Sequence, residues 1–213
     1  HPDGRMTLTD GDWPAPTPGM APPETPPPAL PDWARRPAAE PARAAPLLSP
    51  SDLGGAKALP GEGLAADIAM ARGSVLHLLL ERLPQHPADD WDSVPRGLAP
   101  DLADLPDLLA EARAVLTAPH LAGLWSQDAL LEVAVTADLA GRRLLGTIDR
   151  LILGPDRVLA IDYKSNVEVP ATAEATPEGI LRQMGAYAEA LAQIYPGRRI
   201  ETAILWTRTA QLM

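Results

Sequence analysis

Hydrophobic residues repeat along most of the chain with two different periods, and each period predicts one type of element. Apolar side chains three and four residues apart predict helices, whereas strict alternation of apolar and polar side chains predicts strands. Helices are predicted over 64–83, 102–116, 120–126 and 178–195, strands over 130–139 and 199–206, and two further strands joined by a turn within 143–166. The succession of helices and strands predicts an α/β domain.

Two of the predicted helices carry broad apolar faces that we expect to pack on the core. On the first helix the face consists of Ile68, Val75, Leu76, Leu79, Leu80 and Leu83. On the last helix it consists of Leu181, Met184, Leu191 and Ile194.

The central hairpin, residues 143–166, carries the polar side chains that bear most directly on function. Alternation along its second strand places Asp162 and Lys164 on one face, and the turn Gly154-Pro155-Asp156 brings Asp149 alongside them. Two carboxylates and an amine at strand ends suit a divalent metal that activates water against a phosphate. An Asp-x-Lys pair by itself is more commonly a surface ion pair.

The amino-acid composition supports a functional role for Lys164. Of 18 basic residues only Lys57 and Lys164 are lysines, and the remaining 16 are arginines. An ammonium is a compact charge that can position a water, whereas a guanidinium always stays protonated. The net charge of −10 argues against a basic protein that coats nucleic acid, but not against an enzyme that acts on it through a metal and a few local arginines.

The absence of cysteine excludes a disulfide framework, a cysteine-ligated zinc and an iron–sulfur cluster in this chain. No apolar run is long enough to cross a bilayer and no secretory signal is present, so a cytoplasmic protein without membrane contact is the simplest expectation. Because the sequence starts at His1 and stops after a strand-like run, we expect a piece of a longer protein.

Residues 1–48 are predicted to form a proline-rich, largely disordered linker, because 14 of the 25 prolines lie within the first 50 residues. Trp13 and Trp33 are exceptions, and they either dock on another domain or belong to the tail. The hydroxyl and carboxylate groups of Ser49-Pro50-Ser51-Asp52 predict a helix start, and the folded domain is expected to span 49–213.

Four further side chains have two possible roles each. His77, on the apolar face of the first helix, is either a metal ligand or a hydrogen-bonded core residue. Glu132 is either a third acidic site residue or a solvated strand residue. Gln183 and Tyr187, four residues apart on one face of the last helix, either bind a phosphate and orient catalytic groups or belong to an ordinary amphipathic helix.

The order of these motifs resembles that of PD-(D/E)xK nucleases, specifically the RecB-type branch. The matching motifs, in order over about 115 residues, are Gly73-x-x-x-His77, Gly146-x-Ile148-Asp149-Arg150, Asp162-Tyr163-Lys164 and Gln183-x-x-x-Tyr187. The resemblance covers residues 50–213 and implies a small mixed sheet flanked by helices in the order α-β-β-β-α-β. Within that branch the chain looks most like the C-terminal nuclease domain of alphaproteobacterial AddA-type helicase–nuclease subunits, which its LPDWARRPA, LSPSDLGGAKALPGE and ILWT segments resemble.

The resemblance also implies roles for individual residues. His77, Asp149 and Asp162, with the Tyr163 carbonyl, would hold Mg²⁺, and Lys164 would orient or deprotonate the attacking water. Gln183 and Tyr187 would position a single strand, and Arg150 and Arg182 would contact phosphates. Glu132 stays uncertain because the family's proline two residues later is missing, and Ser165 replaces the commoner threonine.

The function that the resemblance implies is a metal-dependent DNA exonuclease domain of a helicase–nuclease in double-strand-break repair. It would receive single-stranded DNA from a motor domain and pair with an AddB-type partner subunit. The alternative is a non-catalytic nuclease-fold module that guides DNA or holds a partner, although such modules are expected to lose the Asp/Lys set that is complete here.

Overall fold

The structure is a computed structural model that describes residues 11–12, 29–38, 47–60, 65–94, 104–125 and 129–213. The chain divides into two compact units, His1–Arg43 and Ala44–Met213. In the first unit, Asp32–Arg35 form a short 3-10 helix in which Trp33 is 74% exposed. Trp13 and most of the predicted linker lie outside the described residues.

The elements of the second unit follow the predicted pattern closely. Helices α1, α2 and α3 span Ala66–Arg82, Leu105–Thr117 and Glu178–Ile194. Strands β1 to β5 span Leu130–Leu139, Arg142–Leu153, Arg157–Lys164, Arg199–Trp206 and Gln211–Leu212. Short 3-10 helices include Pro50–Asp52, Pro119–Trp125 and Thr207–Thr209. None of the helices in the described residues is long and apolar enough to cross a bilayer.

Strand β3 lies at the centre of a five-stranded mixed sheet with the order β1-β2-β3-β4-β5. Neighbouring strands are antiparallel except β3 and β4, which run parallel with α3 as their crossover. Parallel strands need such a crossover, because the chain must return to the end of the sheet at which β3 begins. The architecture confirms the predicted α/β class, the core order α-β-β-β-α-β and the predicted helix α2, and the structure adds the two-residue strand β5.

Alternation along β3 divides the interior into two cores. Leu159, Ile161 and Tyr163 pack with α1 and α2 on one face of the sheet. Val158 and Ala160 pack with α3 on the other. Because successive strand residues point to opposite faces, Asp162 and Lys164 continue the row that faces α3.

The buried face of α3 differs from the predicted one. Met184 and Leu191 are buried as expected, but Leu181 and Ile194 are each 44% exposed. The core face instead includes Ile180, Gln183, Tyr187 and Ala190, which follow the same three-and-four spacing one position away. Ile68 of α1 is likewise exposed, at 49%.

Residues 47–58 form a segment, called here the crossing segment, that is fastened at both ends. Near its start, Leu48 pairs with the open edge of β2, donating from its N–H to Arg143 O at 2.8 Å and accepting from Leu145 N at 2.9 Å. Near its end, the N–H of Gly179 on α3 donates to Ala56 O at 2.8 Å. A Cβ at position 179 would lie 2.7 Å from that oxygen, so glycine permits this close approach.

Candidate active site

The predicted site residues meet at the end of β3, where two cavities adjoin. The larger, of about 810 Å³, lies between α1, the crossing segment and the residues that follow β3. The smaller, of about 520 Å³, lies between β2, α3 and the start of the crossing segment. Ser51, His77, Lys164 and Gln183 line both cavities, and Asp149 and Asp162 line the smaller one.

His77 connects α1 to the ends of β2 and β3. Its Nδ1 lies 3.2 Å from Asp149 Oδ1, and its Nε2 lies 3.1 Å from the carbonyl oxygen of Tyr163. Both neighbours only accept hydrogen bonds when Asp149 is ionised, so this geometry favours a proton on each ring nitrogen. Burial alone would lower the pKa of His77, but the hydrogen bond and charge of Asp149 raise it above its ordinary value.

Asp149 contacts the backbone of β3 as well as His77. Its Oδ2 accepts a 2.6 Å hydrogen bond from the N–H of Tyr163. The turn prediction is therefore confirmed: the β2–β3 hairpin brings Asp149 alongside the end of the second strand. One carboxylate thus fixes both the imidazole and the residue whose carbonyl faces that imidazole.

Glu132 joins this group from β1. One ligand atom from each of His77, Glu132 and Asp149 can be chosen so that all lie within 4.8 Å of one another. The backbone of Glu132 has a φ of 47°, and the ladder pairs Leu131 with Arg150 and Val133 with Ile148 while omitting the pair between them. A left-handed non-glycine residue inside a strand is strained, and such strain is concentrated at functional sites. Burial and the charge of Asp149 raise the pKa of Glu132.

Asp162, Lys164 and Gln183 form a second polar group beside the first. Lys164 Nζ forms an ion pair with Asp162 Oδ2 at 2.5 Å. Gln183 donates from Nε2 to Asp162 Oδ1 at 2.6 Å and accepts from Lys164 Nζ at 3.2 Å. Burial raises the pKa of Asp162, and the charge of Lys164 opposes that shift.

Tyr187 extends this group along α3. Its hydroxyl accepts from Gln183 Nε2 at 3.3 Å and donates to Thr147 O of β2 at 2.6 Å. Burial raises the pKa of Tyr187, so the phenol stays neutral and acts as a donor. The predicted pair on α3 therefore lies in the site, where Tyr187 orients Gln183 and Gln183 orients both Asp162 and Lys164.

Comparison with known proteins identifies the family to which this arrangement belongs. The family model of the PD-(D/E)XK nuclease superfamily matches residues 53–210, which are 158 of the chain's 213 residues. The chain belongs to the PD-(D/E)XK nuclease superfamily. Its mixed sheet flanked by helices is the restriction-endonuclease-like core, with the hairpin β2–β3 carrying the Asp149, Asp162 and Lys164 set.

Two further comparisons concern individual proteins. The nuclease domain is similar to the solved structure of a "putative exonuclease" from Eubacterium rectale, with 15% sequence identity and a TM-score of 0.42. The match covers 68% of this chain and 57% of that one, so the chain spans little more than half the length of that structure. No curated protein matches this sequence.

The two arginines expected at phosphates have other partners in the nuclease domain. Arg150 is only 2% exposed; it donates to Tyr163 OH at 2.9 Å and to Leu124 O at 2.8 Å, and it stacks on Trp125 at 4.6 Å. A direct phosphate contact by Arg150 therefore has no support, because its guanidinium is enclosed by protein. Arg182 is exposed but holds the crossing segment, donating to Leu53 O at 3.0 Å.

Thr207, which the sequence analysis passed over, supports the backbone of Lys164, the lysine of the Asp162-Tyr163-Lys164 motif. It follows β4 directly, is buried, and its hydroxyl lies 3.1 Å from Lys164 O and 2.6 Å from Glu111 Oε1 on α2. The ILWT segment contains this threonine, but only the parallel pairing of Lys164 with Trp206 reveals what it contacts.

The donor set fits a hard divalent cation. Carboxylate oxygens with one imidazole are ligands that such cations accept in sites that also keep bound water. Glu132 and Asp149 supply the carboxylates nearest His77, and the Tyr163 carbonyl lies on the other side of the ring. Asp162 has both oxygens engaged by Gln183 and Lys164, so its role as a direct ligand stays a prediction.

Proposed function

We propose that this domain is a Mg²⁺-dependent deoxyribonuclease that hydrolyses phosphodiester bonds of single-stranded DNA as an exonuclease. The observation that carries the proposal is the convergence of His77, Asp149, Asp162 and Lys164 at one end of the β2–β3 hairpin. A module that only guides DNA has no need of an ammonium held 2.5 Å from a buried carboxylate, because that arrangement costs desolvation energy.

The cation would be held by Asp149, Glu132 and His77, with Asp162 and the Tyr163 carbonyl beside them. When bound, it supplies Lewis-acid activation of water and of the phosphate. To accept it, His77 gives up the proton on its ligating nitrogen, since metal ligands must be deprotonated. Asp149 would keep its place beside the imidazole, because its Oδ2 is held by the β3 backbone.

Lys164 acts on the reacting groups directly. An ammonium has three donors, and the contacts with Asp162 and Gln183 use two of them. The third is available to the attacking water or to a phosphate oxygen, where a positive charge stabilises the negative charge that develops in the transition state. Gln183 keeps the ammonium in place because it is itself tied to Asp162 and Tyr187.

The wider role that we infer is that of a RecB-type nuclease domain in an AddA-like helicase–nuclease. In this proposal a motor domain elsewhere in the protein feeds single-stranded DNA to the site, and an AddB-type partner subunit completes a heterodimer that repairs double-strand breaks in the bacterial cytoplasm. Support comes from the four ordered motifs and from the likeness of the LSPSDLGGAKALPGE and ILWT segments to that subgroup.

The test compares the chain with Asp162→Asn and Lys164→Met on end-labelled single-stranded DNA, in Mg²⁺ and in EDTA. We expect cleavage that requires the cation and falls by about 10²–10³-fold in each variant. Arg142→Gln is the matched control, because Arg142 is an exposed basic residue at the start of β2 that lines neither cavity. Binding without cation-dependent cleavage would instead establish the guiding module, and equal cleavage by all variants would exclude the assigned site.

A further inference from the structure

The lysines of this chain are both in the same place. Lys57 and Lys164 are the two lysines among 213 residues, and both line the larger cavity. Among the described residues no arginine lines that cavity, so its basic side chains are the two lysines and His77. In a chain with a net charge of −10, both lysines therefore face one cavity.

The backbone at Lys57 is held in position although it lies outside any helix or strand. Its carbonyl accepts a 3.2 Å hydrogen bond from Asn166 Nδ2, two residues after Lys164. The preceding residue, Ala56, is bound by the first turn of α3 through Gly179 N. The crossing segment therefore carries Lys57 to a fixed place relative to the catalytic end of β3.

The ammonium of Lys57 is available to a ligand. Its ionic partner is Asp52, at 3.5 Å, and the two side chains are 55% and 75% exposed, so the pair is solvated and weak. Ser51 lines both cavities, and its hydroxyl shares a 2.8 Å hydrogen bond with Ser49. Among the residues that the structure describes, Asp67 is the one carboxylate that lines the larger cavity, and it is exposed.

We propose that Lys57 and Ser51 bind a second phosphate of the DNA strand, next to the one cut at Lys164. A phosphodiester backbone presents a negative charge at each nucleotide, and a groove that follows it needs basic groups spaced along its length. The ammonium supplies the charge and the hydroxyl supplies a hydrogen bond to a phosphate oxygen. The inference rests on the proposed function, which places a DNA strand in this cavity.

The test measures binding of a fluorescein-labelled oligothymidine to the chain, with Ca²⁺ as cation, at a series of salt concentrations. Lys57→Gln is expected to weaken binding by about five- to tenfold at low salt and to reduce the slope of log K against log salt by about 0.7, the value for one phosphate contact on a single strand. Arg142→Gln removes the same charge outside the cavities and is expected to change affinity less than twofold. Lys57→Arg should restore the slope.

A second pair of variants separates a specific contact from general charge. Asp52→Asn removes the carboxylate that competes for Lys57, so it should tighten binding in the wild-type background. The same substitution should have a smaller effect in Lys57→Gln, because the competition is then absent. In cleavage assays Lys57→Gln should raise KM with little change in kcat, since it removes binding rather than transition-state stabilisation.

The outcomes distinguish this inference from the proposed function. If the chain cuts DNA and Lys57→Gln behaves like Arg142→Gln, the second phosphate contact is wrong and the nuclease assignment stands. If the chain neither binds nor cuts single-stranded DNA, both are wrong.

Discussion

Glu132→Gly is the substitution that separates the two roles of the strained residue on β1. Glycine adopts a φ of 47° without the Cβ clash that is present in glutamate, so the substitution removes the backbone strain at this position. It also removes a carboxylate that lies beside Asp149 and His77. We therefore expect the variant to be more stable than the wild type without metal and less responsive to metal.

The size of the stability gain follows from the backbone. A left-handed conformation costs an L-residue about 1–2 kcal/mol, and glycine gives back about 0.5–1 kcal/mol through its greater entropy in the unfolded chain. A net gain of about 0.5–1 kcal/mol remains, which raises Tm by roughly 1–4 °C in a domain of this size. Loss of repulsion between Glu132 and Asp149 acts in the same direction.

The assay is thermal unfolding in EDTA and then with increasing Mn²⁺ or Mg²⁺. Ligand binding to the folded state raises stability by about 2.7 kcal/mol at a hundred times Kd, so a lost ligand appears as a smaller increase in Tm at each cation concentration. Ala140→Gly is the matched control, because Ala140 has a φ of 50° and lies in the exposed β1–β2 turn. It should gain similar stability and keep the full response to cation.

Two results would refute this reasoning separately. A Glu132→Gly variant that is less stable than the wild type in EDTA, while Ala140→Gly is more stable, would show that the left-handed backbone at Glu132 is not strained. An undiminished response to Mn²⁺ would show that Glu132 is not a ligand.

Three further predictions concern the support of the site. Gly146→Ala should lower the free energy of unfolding in urea by about 1–3 kcal/mol, because the new Cβ would lie 2.5 Å from Pro50 Cγ. Gly185→Ala is the control: its Cβ would meet no atom within 4 Å, so the substitution should raise the free energy of unfolding by up to about 1 kcal/mol. Arg150→Gln should lower the free energy of unfolding by about 2–3 kcal/mol, because its buried hydrogen bonds are lost. It should leave the salt dependence of DNA binding unchanged, and a smaller slope would show that Arg150 contacts a phosphate after all. Thr207→Val should lower kcat with little change in KM, and Thr207→Ser should recover it; equal kcat in all three proteins would show that the Thr207 contact does not position Lys164.

The strands and the main site residues were predictable because their signals are local. Alternation in β3 correctly divided Leu159 and Ile161 from Val158 and Ala160, and that division alone placed Asp162 beside Lys164. The short strand β5 gave no such signal, because its two residues are extended through pairing with the end of β4.

The features that the sequence did not indicate depend on contacts between distant segments or on backbone conformation. Nothing near Arg150 in the sequence indicates that Leu124 O and Trp125 enclose its guanidinium. Glu132 occupies a polar position of an ordinary alternating strand, and its left-handed backbone is visible only in the structure. The buried face of α3 was predicted wrongly because Leu181 and Ile194 are apolar but exposed, while Gln183 and Tyr187 carry polar groups but are buried.

The use of lysine in this chain has a practical consequence for labelling chemistry. Among the side chains of this sequence, reagents that acylate amines can modify only those of Lys57 and Lys164. Random amine coupling, which scatters dyes over the surface of most proteins, would here direct them largely to one cavity. A mass spectrum of the modified chain would count occupied positions directly, and a bound ligand that covers the cavity would protect both side chains. Attachment of the chain to an amine-reactive surface would conversely block the cavity, so immobilisation through another group is required for binding measurements.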